Sequence, residues 1–190
     1  AFTTFPPVFL KAIAAPVELV TALGVVMILL RIPSTVLNPL LIPQVREITQ
    51  YHLKGLFDSE FRLFSKTTLR IFFVAVPTAT TISLLAANII DLGGNNSAIY
   101  QFGSLTKLLV ILIGTSFVVE GFANSCINSQ GRFRESGIAY LTTSCLLLST
   151  LFVAGTSINS VLESLLLASS LAFVWLYIRI FIGSRVANSA

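Results

Sequence analysis

Three polar residues share one face of an otherwise apolar stretch near the start of the chain. Arg31, Thr35 and Asn38 recur at steps of four and three residues, which is the spacing of neighbours on one side of an α-helix. A guanidinium can bind a diphosphate through two parallel hydrogen bonds. The pattern therefore favours an anion-binding surface built on an apolar helix.

Arg31 lies deep within this stretch. At a rise of about 1.5 Å per residue it stands about 20 Å from the end near Pro43. An arginine at mid-membrane costs about 2.5–3.5 kcal/mol on insertion scales, so the chain must compensate for it. A polar stripe in a spanning helix faces a protein interior or a water-filled cavity, and we expect this of the Arg31 face. The alternative is an arginine paired internally for packing alone.

Prolines interrupt the same helix. Pro33, Pro39 and Pro43 each lack the amide hydrogen that a helical carbonyl would accept, so we predict a bend. In the next apolar stretch, Pro77 and Thr81 share one face by a step of four. Broken helices often mark substrate sites in transporters, whereas prolines are also simply frequent in membrane helices. We predict that all four prolines act as hinges, and the structural alternative stays open.

One acidic residue falls clearly within an apolar stretch. Glu120 precedes Gln130 by about 15 Å of helical rise, and it could pair with an arginine, carry a coupling proton or act as a structural partner. The predicted cavity is lined by Arg31, Thr35, Asn38, Thr81 and Glu120.

The composition of the chain indicates a membrane environment for the predicted cavity residues. The 190 residues are 55% hydrophobic and 11% charged, whereas a soluble domain carries about 25% charged residues. Five windows are long enough to cross a bilayer, which takes about 20 apolar residues. They are 16–43, 67–90, 100–130, 136–154 and 158–182. We therefore predict an all-α, polytopic membrane helical bundle.

Basic residues crowd into alternate connections between these windows. Nine of them fall on one side, against Lys11 and Lys107 near the other. The nine are Arg46, Lys54, Arg62, Lys66, Arg70, Arg132, Arg134, Arg179 and Arg185. Because short cytoplasmic loops are rich in Lys and Arg, the first span should run from outside to inside and the C-terminus should be cytoplasmic. We place the protein in the plasma or inner membrane.

The connection at 44–66 is too polar to span. Its apolar residues Leu53, Leu56, Phe57 and Phe61 have helical spacing, which predicts an amphipathic helix at the cytoplasmic surface. An ordinary loop is the alternative. His52 lies in this connection with no cysteine or carboxylate cluster around it, so we expect a solvated histidine.

Several classes of function are disfavoured. The net charge of +4 is spread over short loops rather than gathered in a patch, so no nucleic-acid partner is expected. There is no phosphate-cradling glycine loop, no zinc-ligand spacing and no nucleophile beside a base. We expect no enzyme, cofactor or metal.

The odd number of spans and the Ala at position 1 suggest the C-terminal part of a larger protein. We therefore expect further spans upstream. Within these residues no internal repeat is visible.

Taken together, several motifs resemble a transporter family. They are Arg31-Ile32-Pro33, the run Asn38-Pro39-Leu40-Leu41-Ile42-Pro43-Gln44-Val45, the segment Phe57-Asp58-Ser59-Glu60-Phe61-Arg62 and the turn Gln130-Gly131-Arg132-Phe133-Arg134. In order, spacing and orientation they resemble polysaccharide flippases of the multidrug/oligosaccharidyl-lipid/polysaccharide superfamily. The resemblance covers residues 16–140.

This resemblance implies a C-terminal lobe that moves a polyprenyl-diphosphate-linked oligosaccharide outward for cell-surface polysaccharide synthesis. Superfamily members have two six-helix lobes around a cavity, and this chain would hold the end of helix seven and helices eight to twelve. Arg31 matches a cavity arginine that attracts the pyrophosphate. The expected partners are membrane lipids, the lipid-linked saccharide and the missing N-terminal lobe. The alternatives are a cation-coupled drug exporter of the superfamily and a non-transporting membrane scaffold.

Overall fold

The computed structural model describes residues 17–93, 104–154 and 158–187, which form six α-helices and no β-strand. The all-α prediction is therefore confirmed for these residues. The helices are α1 (Val17–Leu40), α2 (Ile42–Leu53), α3 (Phe57–Gly93), α4 (Ser104–Ser129), α5 (Phe133–Ala154) and α6 (Ile158–Ala187). The predicted external connections at 91–97 and 155–159 lie partly outside the described residues.

Three described segments are long and apolar enough to cross a membrane: Phe57–Leu84, Ser104–Ser129 and Asn159–Ile182. The pair Val26–Leu40 and Ile42–Leu53 counts as a fourth if its 58° bend belongs to one span. The described residues thus hold fewer candidate spans than the five predicted. The fifth predicted span, 136–154, falls on α5, and the side chains of its last four residues lie outside the described part of the structure.

The predicted amphipathic connection at 44–66 is divided between two helices. The first, α2, ends at a left-handed glycine, Gly55, with φ +71°. The amides of Leu56 and Gly55 donate to the carbonyls of Tyr51 and His52 at 2.9 and 3.0 Å, which is a Schellman motif. Because acidic residues favour a helix N-terminus, Asp58 and Glu60 in its first turn suit the start of α3 here. Consequently α3 begins ten residues before the predicted span at 67–90.

A second Schellman motif joins α4 to α5. Gly131 has φ +77°, and the amides of Arg132 and Gly131 donate to the carbonyls of Ile127 and Asn128 at 3.1 and 3.0 Å. The two glycine turns lie side by side, since Thr49 Oγ1 and Ser129 Oγ are 2.5 Å apart.

The core forms around α4, which contacts each of the other five described helices. One apolar cluster joins Val26 and Leu30 of α1 to α4 and α6. The other lies nearer the glycine turns, where the rings of Phe64 and Phe122 stack with centroids 5.5 Å apart. Because α4 contacts every other described helix, it positions each element that carries a candidate site residue.

Candidate functional site

The polar stripe of α1 lies on the surface of this chain. Arg31 and Thr35 are exposed, whereas Asn38 is half-buried. The hydroxyls of Ser34 and Thr35 both donate to the carbonyl oxygen of Arg31 at 2.9 Å. These hydroxyls are therefore accommodated within the apolar helix through its own backbone, a common arrangement that also favours bending. The exposed edge thus carries the guanidinium of Arg31 and the hydroxyl of Thr35, whereas Asn38 is turned towards α4.

A different face of α1, which includes Pro33 and Asn38, packs on two glycines of α4. A Cβ built on Gly114 would lie 3.6 Å from Cγ of Pro33, and one on Gly121 would lie 2.8 Å from Nδ2 of Asn38. Small residues allow helices to approach closely, and these two recur at an interval of seven on α4. The contacts fix the rotation of α1, so Arg31 is directed away from α4.

The predicted site residues of α3 lie at the same level as Arg31. Gly114 approaches both Pro33 and Ala79, whose Cβ would be 3.4 Å from a Cβ on the glycine. Pro77 and Thr81 flank Ala79 on the far side of α3, and both are exposed. Thr81 Oγ1 donates to the carbonyl of Pro77 at 3.0 Å, in the same backbone-directed manner as on α1. Both polar edges therefore face away from α4.

Glu120 points in another direction. Its side chain is 4% exposed and forms a hydrogen bond with the side chain of Tyr140 in α5. The next residue, Gly121, is the one that contacts α1. Adjacent residues on a helix point about 100° apart. Gly121 faces α1, so Glu120 is turned away from α1 and towards α5. Its place in a cavity shared with Arg31 stays a prediction.

The bend between α1 and α2 falls at Leu41, between Pro39 and Pro43, and measures 58°. The amide of Leu41 donates to the carbonyl of Asn38 at 3.0 Å. The side-chain Oδ1 of Asn38 is buried and has no hydrogen-bond partner in the described structure. Asn38 also lines a small cleft of about 100 Å³ beside the bend, together with Arg46 and Ser125. The hinge role of the prolines stays a prediction.

A polar cluster that sequence reasoning missed lies at the glycine turns. Glu60 is 2% exposed, yet its carboxylate accepts a hydrogen bond from Gln130 Nε2 at 2.7 Å and lies 3.0 Å from Nδ1 of His52. The expectation of a solvated His52 was wrong, because the side chain is 23% exposed and pairs with this carboxylate. The cluster ties α2, α3 and the end of α4 together.

A second cluster continues from the first. Arg132 donates to Gln130 Oε1 at 3.2 Å and to both carboxylate oxygens of Glu135 at 3.1 and 2.6 Å. Arg179 of α6 reaches the same carboxylate at 3.0 Å. Burial raises the pKa of Glu135, but the hydrogen bonds from Arg179 and Arg132 and their positive charges lower it further, so its pKa lies below the ordinary value.

The structure thus places the predicted residues in three locations. Arg31, Thr35, Thr81 and Pro77 lie on outward edges at one level, whereas Asn38 borders the bend and Glu120 belongs to the contact with α5. No spacing signal links Glu60 to Gln130, because the two are brought together only by the docking of α3 on α4. The basic turn at 130–134 was visible in the sequence, but its role as a junction of four helices was not.

In the described part of the chain, no group of three or more His, Cys, Asp and Glu side chains is placed to hold a metal ion. A scan with protein-family models matches no family, and comparisons with curated proteins and with solved structures find no match. Apolar helices of this length are compatible with a membrane protein.

Proposed function

We propose that this chain is the C-terminal lobe of a membrane transporter that flips a polyprenyl-diphosphate-linked oligosaccharide across the cytoplasmic membrane. The observation that carries the proposal is the exposed Arg31 on an apolar, proline-containing helix. A guanidinium is expensive to keep in hydrocarbon. Arg31 lies on an outward-facing edge of this chain. A hydrated cavity, completed by another part of the protein, would remove the cost of placing its guanidinium in hydrocarbon.

The chemistry of the edge suits a diphosphate. The planar guanidinium of Arg31 offers two parallel donors, which match two phosphate oxygens better than the point charge of a lysine. Thr35 lies one turn away, and its hydroxyl oxygen can still accept a hydrogen bond from a sugar hydroxyl while it donates to the backbone. Arg31 would attract the charged head, and the neighbouring polar groups would line its path.

The edges of α1 and α3 supply one wall of such a cavity. The opposite wall would come from an N-terminal lobe of the same protein, with Pro77 and Thr81 flanking the passage on this side. The protein would be a multi-pass protein of the plasma or inner membrane, with the glycine turns and the C-terminus in the cytoplasm. Its partners would be membrane lipids and the lipid-linked saccharide.

A membrane scaffold would leave the same edge dry, since partner helices would cover it. A cysteine at Thr35 separates the two functions in the full-length protein. Water-soluble maleimide reaches this cysteine in a transporter and is excluded in a scaffold, whereas a cysteine at Leu141 of α5, which is 69% exposed and belongs to a helix remote from α1, serves as the lipid-facing, unreactive control in both.

Complementation of glycan export tests the role of Arg31. In cells lacking the full-length protein, Arg31→Gln should abolish export at unchanged protein abundance, because removing a mid-membrane charge relieves an insertion cost. Arg31→Lys should retain partial export at best. Normal export by Arg31→Gln would remove this residue from the site, and loss of abundance would favour a structural ion pair.

A further inference from the structure

A second cleft lies between the end of α1 and the middle of α3, on the outer surface of the chain. Its volume is about 190 Å³. Leu37, Leu40 and Leu41 form one apolar wall, and Ile71 and Val74 form the other. Because Leu40 and Val74 are 66% and 52% exposed, the cleft is open sideways, towards the surroundings of the two helices.

One end of this cleft is polar and positively charged. Arg70, Thr67 and Gln44 line it, and no acidic residue does. None of the carboxylates in the described structure forms an ion pair with Arg70. The positive charge is therefore available to an anion that enters from outside.

Thr67 is the second polar group that a ligand in the cleft could contact. Its side chain is 3% exposed and lines the cleft. The threonine hydroxyl that is fully buried without a partner in the described residues is that of the neighbouring Thr68, so the hydroxyl of Thr67 remains open to the cleft. It can donate a hydrogen bond to an anion bound there.

The position of the cleft identifies the kind of ligand. Leu40 and Leu41 border the 58° bend, where apolar α1 gives way to the polar helix α2. Arg70 is thus level with the boundary between apolar and polar surface, which is the depth of lipid headgroups, while the leucine wall extends towards the apolar side.

We propose that this cleft binds one anionic phospholipid of the surrounding membrane. Its phosphate accepts hydrogen bonds from Arg70 and Thr67, and one acyl chain lies between Leu40 and Val74. The phosphate neutralises the guanidinium, and the acyl chain covers apolar surface of both helices. A bound lipid bridges α1 and α3 beside the bend and stabilises their contact. The proposal does not depend on what the protein transports.

Native mass spectrometry of the full-length protein in detergent tests the site. The probes are phosphatidylglycerol and phosphatidylcholine with identical acyl chains. We expect phosphatidylglycerol to bind more tightly, and Arg70→Gln to weaken its binding by about tenfold, the loss expected for one charge-assisted hydrogen bond. Arg62→Gln is the matched control, because Arg62 is exposed on the same helix but outside the cleft.

Two further variants separate lipid binding from folding. Thr67→Val should weaken phosphatidylglycerol binding severalfold without lowering the melting temperature in lipid-free detergent, because it removes a hydroxyl that is open to the cleft. Val74→Trp fills the apolar end and should weaken the binding of both lipids. Equal affinity for the two lipids, or equal effects of Arg70→Gln and Arg62→Gln, would overturn the proposal. Displacement of phosphatidylglycerol by an equimolar polyprenyl phosphate would also overturn it, by assigning the cleft to another occupant.

Discussion

The side-chain amide of Asn38 rests against the backbone of Gly121, so closely that a Cβ on the glycine would lie 2.8 Å from Nδ2. This contact holds the last turn of α1 against the central helix, directly before the bend at Leu41. It is the tightest of the approaches that the described helical glycines make. The rotation of α1, and with it the outward direction of Arg31, depends on this fit.

We expect Gly121→Ala to destabilise the protein by about 1–3 kcal/mol, the usual cost of overpacking a close contact. The added methyl must displace the side-chain amide of Asn38, which is the group it would meet. Thermal unfolding of the full-length protein in detergent measures the loss.

Gly137→Ala is the matched control, since a Cβ there meets nothing within 4 Å and alanine favours a helix. This variant should be neutral or slightly stabilising. Adding Asn38→Ala to Gly121→Ala should recover part of the stability by making room for the methyl. Equal melting of Gly121→Ala and the wild type would contradict the described packing of α1.

The buried carboxylate of Glu60 should contribute to stability through its two partners. Glu60→Ala leaves Gln130 Nε2 and His52 Nδ1 without their acceptor, and we expect a loss of about 1–3 kcal/mol. Glu60→Gln keeps one acceptor oxygen and should lose less. Exposed Glu47 of α2 provides the control, because Glu47→Ala removes only a long 3.3 Å contact with Tyr51. If the Glu60 and Glu47 variants melt at the same temperature, the cluster does not join these helices.

The ion cluster around Glu135 predicts a pH dependence. Its pKa is lower in the folded protein than in the unfolded chain, so the unfolded chain binds the proton more readily. The stabilisation is present above the ordinary glutamate pKa of about 4.3 and is lost as the pH falls through the folded-state value. The melting temperature should therefore drop more steeply between pH 6 and about pH 3 in the wild type than in Glu135→Gln. Parallel pH curves for the two proteins would show that the arginines contribute nothing through this carboxylate.

The charge asymmetry of the sequence predicts a topology that labelling in intact cells can test. Ser59 and Ser104 are both exposed and lie at opposite ends of the candidate spans. In a cysteine-free background, a cysteine at Ser104 should react with a membrane-impermeant maleimide, and one at Ser59 should react only after the cells are opened. The reverse pattern would invert the proposed orientation.

The helices and the polar edge of α1 were predictable from sequence because both depend on local periodicity. A step of four residues placed Arg31 and Thr35 on one side of a helix before any packing was known. The start of α3 was less predictable, because it depends on a left-handed Gly55 and a Schellman motif rather than on hydropathy.

The contacts between helices were beyond the sequence pattern. Whether Glu120 faces α1 or α5 depends on the rotation of α4, which is set by close approach at Gly114 and Gly121. The pairing of Glu60 with Gln130 joins residues 70 positions apart, and no periodic signal spans that distance. Glu60 and Gln130 form a polar cluster only when the start of α3 packs against the end of α4.

Transport by the purified full-length protein in proteoliposomes tests the central proposal most directly. The measurement is the rate at which a polyprenyl-diphosphate-linked saccharide crosses to the opposite leaflet, for wild type, Arg31→Gln and the exposed-arginine control Arg62→Gln. We expect Arg62→Gln to flip the lipid at the wild-type rate and Arg31→Gln to lose at least about tenfold, the value of one charge-assisted contact. Equal rates for all three proteins, or no flipping by the wild type, would contradict the account.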